Sequence, residues 1–463
     1  MYPADGGAGL QPLVPLHLPD SERDIDANRA PWLDGAPEAP APRSLPGGVH
    51  NADVAVIGGG FTGVSTAYHL SKRFPDKRIV LLEARTLANG ASGRNGGMML
   101  NWINGVDSRD PEGTQRVYKA TCGGIDRIES IIKNHSLNVR YNRQGCFEMC
   151  TTNERAEAAH ARAEKLHSWG IPVKYLDGNA LKTHLGLTGV VGGVLDPSAG
   201  QLNGVDLIRG MRGVIEAAGV QVYENSPVIA VKEGATVELQ TRTGTVRAGA
   251  IVLGTNGYTP KLGYFGNQVF PLHSHMIATE PLSPEAWAKI GWTNAAGFSD
   301  DLDRIAYGSL TASGSLVFGG GSNAAYDYLY GNKTAYPGSP DTAMAAFKAV
   351  RQRLAAYLPD TMNLKISHRW TGTLGITMAR VCSMGVRGAN RNIYYALGYS
   401  GHGVTLANLA GKVLTDLYSD NHEPWAKLPF YQRNMAYIPP EPFRWVGYQL
   451  FTRLTGRSPR KVE

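Results

Sequence analysis

Residues 53–83 hold the most chemically specific spacing in the chain. Gly58-Gly59-Gly60-Phe61-Thr62-Gly63 is a G-x-G-x-x-G turn, and Glu83 stands twenty residues past Gly63. Gly58 permits a tight turn, Gly60 lets backbone approach a pyrophosphate, and Gly63 lets a helix close on a strand. A helix start beyond the glycines offers N–H groups and a positive dipole end to phosphates. A carboxylate at Glu83 can accept hydrogen bonds from a ribose, and it repels a 2′-phosphate, so NADP is disfavoured.

These residues need two strands and a helix to hold them. Residues 53–57 form an apolar run of the kind buried in a parallel sheet, and Ile79–Leu82 form a second. Between them residues 62–72 read as a helix. A lone glycine turn is weak evidence; with both strands, the helix and the acid in place, it reads as a dinucleotide-binding βαβ unit.

Two further glycine-rich segments bear on which dinucleotide. Gly90-Ala91-Ser92-Gly93-Arg94-Asn95-Gly96-Gly97-Met98-Met99 follows Glu83, and Gly398-Tyr399-Ser400-Gly401-His402-Gly403-Val404 follows an apolar strand at Ile393–Leu397. On these motifs the chain resembles the FAD-dependent amine and amino-acid oxidoreductases typified by D-amino-acid oxidase. The A-S-G-R-N-G-G string is most similar to the gamma-glutamylputrescine oxidase branch. Gly200-Gln201-Leu202-Asn203, Val252-Leu253-Gly254-Thr255-Asn256-Gly257-Tyr258, Ala278-Thr279-Glu280-Pro281-Leu282 and Phe318-Gly319-Gly320-Gly321 match in the same order, over residues 32–417.

The resemblance implies an α/β fold with an α+β substrate part. A discontinuous Rossmann-like FAD-binding domain of the glutathione-reductase type would carry a mixed-sheet substrate-binding domain. The expected division is an extended arm at 1–49, an FAD domain at 50–118, 190–262 and 364–435, a substrate domain at 119–189 and 263–363, and a basic amphipathic tail at 436–463. Trp32 interrupts the proline- and glycine-rich arm, and the resemblance implies that this stretch lies against the folded body.

FAD contacts carried over by the resemblance are Gly58, Gly60, Phe61, Thr62 and Gly63 at the phosphates, with Glu83, Ala84 and Arg85 by the ribose. Ala91, Ser92, Arg94, Asn95, Gly96, Gly97 and Met98 are expected beside pyrophosphate and ring. Val228 is the adenine-side contact. Gly257, Gly375, Gly401, His402, Gly403, Val404 and Thr405 are expected on the ring side. Relatives that tether the flavin use a cysteine matching residues 369–370 or a histidine matching 94–97. Neither is present, so FAD is expected to be non-covalent.

The chemistry implied is hydride transfer from a carbon beside nitrogen to the flavin, giving an imine that hydrolyses, with reoxidation by O2 to H2O2. The cofactor carries the hard step, so no strong general base is required. His275, Tyr307 and Tyr258 are the candidate substrate-pocket residues, with His273 also plausible; a lone histidine is more often structural. The strand before F-G-G reads Ala306-Tyr307-Gly308-Ser309-Leu310, without the arginine that many family members place there. That arginine could clamp an α-carboxylate bidentately, so its absence favours amines over α-amino acids, with Arg94 and Arg380 as substitute clamps. An amino-acid dehydrogenase passing electrons to a membrane quinone stays open, as does a flavoprotein without catalysis.

Composition sets the outer limits. The 463 residues are 43% hydrophobic and 18% charged, with 56 glycines and a net charge of +7. The basic residues are scattered and no nucleic-acid recognition fold is visible, so nucleic acid is not an expected partner. Four cysteines are too few for a disulfide framework. Cys146 and Cys150 on one strand would stand about 13 Å apart, and no metal-ligand spacing appears. With no basic segment leading into an apolar core at the N-terminus, a cytoplasmic setting is expected. The tail from Phe443 mixes apolar residues with Arg444 and Arg453, followed by Arg457, Arg460 and Lys461. It reads as a helix docked on the body or as a peripheral helix on an anionic membrane, and the docked reading is preferred.

Overall fold

Ile79–Leu82 is buried at every position, as a strand covered on both faces of a sheet must be. It belongs to the first of two large sheets in the computed structural model, which describes residues 28–102, 109–293, 295–302, 304–334 and 344–455. Gly48–Ile57 pairs in parallel with Ile79–Leu82 on one side and Gly244–Leu253 on the other. Gln221–Tyr223 and Ile393–Leu397 extend the parallel core at its two ends. Antiparallel strands Ala230–Lys232, Val237–Gln240 and Ser383–Arg387 complete the sheet.

The helix Phe61–Arg73 lies between Gly204–Ala217 and Gly403–Tyr418. Its Ser65 meets Gly411, where a side chain would have no room. Val64, Ala67 and Leu70 join Ile208, Leu406, Leu409 and Ala410 in one core. Phe61–Arg73 extends the helix expected over 62–72 by one residue at each end.

The second sheet is mixed. It runs Tyr326–Asp327, Phe270–Thr279, Leu316–Gly320, Ala306–Leu310, Gly297–Asp300, Cys146–Cys150, Gly192–Asp196 and Lys174–Asp177, with Ile366–Ile376 also on Phe270–Thr279. A three-stranded sheet of Met98–Met99, Gly200–Leu202 and Tyr141–Asn142 lies apart from both large sheets.

Three features depart from expectation. The strand Ile366–Ile376 belongs to the second sheet, paired antiparallel with Phe270–Thr279. Gly192–Asp196 likewise pairs with Cys146–Cys150. The helix Pro111–Asn134, started by Asp110 accepting from the Gly113 N–H, runs across the expected boundary between 118 and 119. Its Val117, Ile125, Ile128 and Ile132 pack into the nucleotide-side core, so this helix supports the first sheet.

The arm from residue 28 lies on the body. Trp32 is buried, and its indole N–H donates to the Asn95 carbonyl oxygen at 2.7 Å. The tail forms the helix Phe443–Thr455, docked through one side. Arg444 donates to the Gly266 carbonyl oxygen at 2.7 Å, and the Tyr448 hydroxyl to that of Tyr326 at 3.2 Å. Expected arm residues 1–27 and tail residues 456–463, which include Arg457, Arg460 and Lys461, lie outside the described residues. All four cysteines are thiols, and no helix among the described residues is long and apolar enough to cross a membrane.

Candidate active site

The G-x-G-x-x-G turn does the mechanical work its spacing predicts. Gly58 takes φ +105, and a Cβ there would stand 2.8 Å from the Gly254 carbonyl oxygen. A Cβ on Gly63 would run into the Gly58 carbonyl oxygen, so helix and strand meet at contact distance. A Cβ on Gly60 would come within 2.8 Å of the Ser92 hydroxyl, which accepts from the Phe61 N–H at 3.0 Å. Gly60 has no side chain to cap the helix, and Ser92 takes only the Phe61 N–H, which leaves the rest of that end to a ligand.

Glu83 closes the unit. Its carboxylate accepts from the Gly59 N–H at 2.7 Å and the Arg85 N–H at 2.8 Å. Burial pushes its pKa up while these backbone donors pull it down. Each carboxylate oxygen retains acceptor capacity for a ribose hydroxyl. Residues 225–228 run alongside, with Asn225 N–H on the Arg85 carbonyl and Ser226 N–H on that of Glu83, which brings Val228 to the cavity wall.

The second glycine-rich segment is held from several sides. Asn95 folds its amide over the Ala91 and Ser92 carbonyl oxygens and accepts from the Gly97 N–H at 2.7 Å. The Trp370 indole donates to the Arg94 carbonyl at 3.0 Å. Opposite lies the start of Gly403–Tyr418, whose N-cap residue His402 makes no capping bond and whose first turn has no acid. Its N–H end therefore favours negative charge beside it. The Thr62 and Tyr399 hydroxyls, 2.7 Å apart, tie the two helix starts together.

These segments line one cavity of about 1750 Å3, far larger than a single small-molecule pocket. Glycine-floored turns, two helix starts and a carboxylate at the second strand's end fit a flavin dinucleotide along one wall. Gly58, Gly60, Phe61, Thr62, Glu83, Ala84, Arg85, Ala91, Ser92, Arg94, Asn95, Gly96, Met98, Val228, Gly375, Gly401, His402, Gly403 and Val404 all line it. Four expected contacts stand behind the lining. Gly63 serves helix packing, and Gly97, at φ +77, makes room for the Trp32 ring. Gly257 passes close to Leu374 and Gly375. Thr405 faces Gly124 of the Pro111–Asn134 helix.

The second sheet covers the remaining wall. Tyr307 lies against Gly96, whose Cβ would come 2.9 Å from the tyrosine ring. Its hydroxyl is 2.9 Å from that of Ser274, and Ser309 donates to the Gly96 carbonyl at 2.6 Å. Burial pushes the Tyr307 phenol up to about 12, so it stays protonated at ordinary pH. Tyr258 lines the cavity beside Gly90.

His275 does not reach this site. Side chains alternate along Phe270–Thr279, so Ser274 and Met276 face Tyr307 and His275 faces away, while His273 reaches the cavity lining. His275 is fully buried, with Nδ1 2.9 Å from the Thr371 hydroxyl and its ring edge-on to Phe347. The His273 ring bonds the Lys333 carbonyl at 2.9 Å. Pairing a strand alternation with the known position of Met276 would have separated the two faces; sequence motifs alone missed Ser274, Met276, Tyr326 and Arg304.

Arg94 is committed elsewhere. It donates to the Asn89 carbonyl at 2.9 Å and that of Asn28 at 2.5 Å. Arg380 lines the cavity. No cysteine or histidine stands at 94–97 or 369–370, and Cys382 is buried in the apolar core. No cluster of metal-binding side chains occurs among the described residues.

Comparison with known proteins agrees with this geometry. The family described as FAD dependent oxidoreductase matches residues 53–417. The chain is 30% identical over 382 residues to the probable oxidoreductase OrdL of Haemophilus influenzae, covering 80% of this chain and 83% of that one. It is 29% identical over 396 residues to gamma-glutamylputrescine oxidoreductase of Escherichia coli, covering 82% and 87%. Among solved structures, glycine oxidase from Geobacillus kaustophilus superposes with a TM-score of 0.70 at 20% identity, covering 83% of this chain and 99% of that one.

Proposed function

Since the chain belongs to the family of FAD dependent oxidoreductases, with FAD as cofactor, we propose that it oxidises the carbon beside nitrogen in an amine rather than in an α-amino acid. One observation carries this reading. The sheet face over Gly96 offers Tyr307 and Ser309 but no arginine, and Arg94 is held by two backbone carbonyls. An α-carboxylate beside the reacting carbon would lack a bidentate partner there. The relative named for gamma-glutamylputrescine supports an amine substrate.

When bound, FAD supplies the two-electron acceptor for the C–H beside nitrogen. The chain would hold it without a covalent tether, through the glycine turn, Glu83 and the 91–98 segment. Phe270, Leu272 and Met276 line the cavity and favour the neutral, reactive form of an amine by desolvating it. Tyr307 stays protonated and orients substrate as a neutral hydrogen-bonding group, paired with Ser274. The start of Gly403–Tyr418 stabilises negative charge on its side of the site.

Oxygen is the acceptor in this reading, with H2O2 released. A second reading, a membrane quinone as acceptor, is favoured by the C-terminal helix. Its outward side presents Phe443, Val446, Leu450 and Leu454 in one helical row, 70%, 45%, 52% and 81% exposed. The helix contains no acid and carries Arg453 near its end. Such a surface suits an anionic bilayer. Turnover under air with aldehyde and peroxide assayed together tests the choice. Equal amounts support the oxidase; aldehyde formed only with added quinone, without peroxide, replaces it with the dehydrogenase.

A further inference from the structure

Arg304 sits two residues before the strand Ala306–Leu310, in a position that no family motif marks. Only 7% exposed, it lines the same cavity as Tyr307. Its Nε donates to the Asn323 side-chain oxygen at 2.8 Å. Its guanidinium carbon lies 5.7 Å from the ring centroids of both Tyr448 and Phe451 of the C-terminal helix. Among the described residues no carboxylate pairs with it, and its Nη2 is buried without a hydrogen-bond partner.

That arrangement is unusual for a structural arginine. Buried charges are ordinarily paired, and an unmatched buried donor is costly. Aromatic rings attract the guanidinium through its faces. They leave its Nη2 without an acceptor, at the end of the guanidinium that matches a carboxylate. The missing partner is an anion.

We propose that Arg304 is the subsite for an anionic group of the substrate, a carboxylate above all, at the end remote from the reacting amine. The proposal rests on the amine-oxidation reading and narrows its substrate class to amines carrying a distant anionic group. Remoteness follows from the layout of the cavity. Tyr307 and Met276 crowd Gly96 at the flavin segment. Arg304 instead lies with residues of the C-terminal helix, and its loop is held where the Tyr326 hydroxyl donates to the Ile305 carbonyl at 2.8 Å. Asn323 links the subsite to that helix, donating from its amide nitrogen to the Thr452 carbonyl at 2.9 Å.

The test uses the FAD-loaded enzyme and matched pairs of ligands, alkylamines against ω-aminocarboxylates of increasing chain length. Anaerobic flavin bleaching gives an apparent Kd for each. In the wild type, an ω-aminocarboxylate of suitable length is expected to bind about 10- to 100-fold more tightly than its alkylamine, as for one charged hydrogen-bonded pair. Arg304→Met is expected to bring that ratio close to one, and Arg304→Lys to lower it in part. A merely structural arginine would shift both ligands together, and an unchanged ratio in both variants would overturn the proposal. If the methionine variant fails to fold, the lysine variant decides by the same ratio. If no amine bleaches the flavin, the amine-oxidation reading has failed. Titration with alkyl monocarboxylates, followed by perturbation of the flavin spectrum, then judges the subsite alone. Saturable binding weakened in Arg304→Lys supports it, and equal binding in both proteins overturns it.

Discussion

The Tyr307 and Ser274 hydroxyls stand 2.9 Å apart on adjoining parts of the second sheet, with the tyrosine ring laid on Gly96. A polar pair is thus brought to the cofactor segment from a wall that otherwise carries Met276, Leu272 and Phe270.

Tyr307→Phe removes one half of that pair and keeps the ring on Gly96. The variant is expected to retain its FAD while the apparent affinity for an amine falls about tenfold, the worth of one hydrogen bond. With the phenol held near 12 by burial, the pH profile of bleaching below about pH 10 should be the same in both proteins. A limb lost from the profile would assign Tyr307 a proton-transfer role and refute this one.

Glu83→Gln tests the cofactor cradle. The carboxylate accepts from two backbone N–H groups, whereas an amide has a single acceptor oxygen and would turn a donor toward the other. A rise of about tenfold or more in the FAD dissociation constant, read from flavin retained after dialysis, is the expected result. Full retention would show that the carboxylate is not part of the nucleotide site.

Asp300 carries the pH dependence of stability near the site. It accepts from the Ala306 N–H and from the Tyr357 hydroxyl at 2.6 Å, and so braces the loop that bears Arg304. Burial pushes its carboxyl up to about 7. Between about pH 4 and that value the folded protein holds a proton at Asp300 that the unfolded chain has released, so this group's contribution to stability falls as pH rises through the window. Asp300→Asn should flatten the slope in urea-unfolding midpoints across the window; an unchanged slope would place the titration elsewhere.

The C-terminal helix gives a prediction for the membrane reading. Leu450→Glu with Leu454→Glu adds charge to its exposed row without touching the docked side formed by Arg444, Tyr448 and Thr452. Sedimentation with anionic phosphatidylserine vesicles is expected for the native protein and is expected to fall at least severalfold in the double variant. No sedimentation of the native protein would leave oxygen as the acceptor to pursue.

The nucleotide unit was legible, apart from the strand's earlier start at Gly48, because every part of it is local. Tight turns, an apolar run and an acid at fixed spacing need no knowledge of the rest of the chain. The start of the Pro111–Asn134 helix was also written locally, in Asp110 before Pro111, an N-cap followed by the proline favoured at the first position. Sheet membership was not legible: Ile366–Ile376 finds its partner nearly a hundred residues away, and nothing in its own pattern names Phe270–Thr279. His275 was misplaced because a motif-free histidine carries no sign of which strand face it takes. Arg304 was invisible for a related reason, since its meaning lies in two rings contributed by the far end of the chain.

The most direct test of the account is anaerobic bleaching of the oxidised flavin by a panel of amines and amino acids. Loss of colour with alkyl, polyamine-type or ω-carboxylated amines, and none with α-amino acids, is the predicted result. Bleaching by an α-amino acid in preference to these amines would contradict it, and with Arg94 tethered would move the α-carboxylate clamp to Arg380 at the cavity wall.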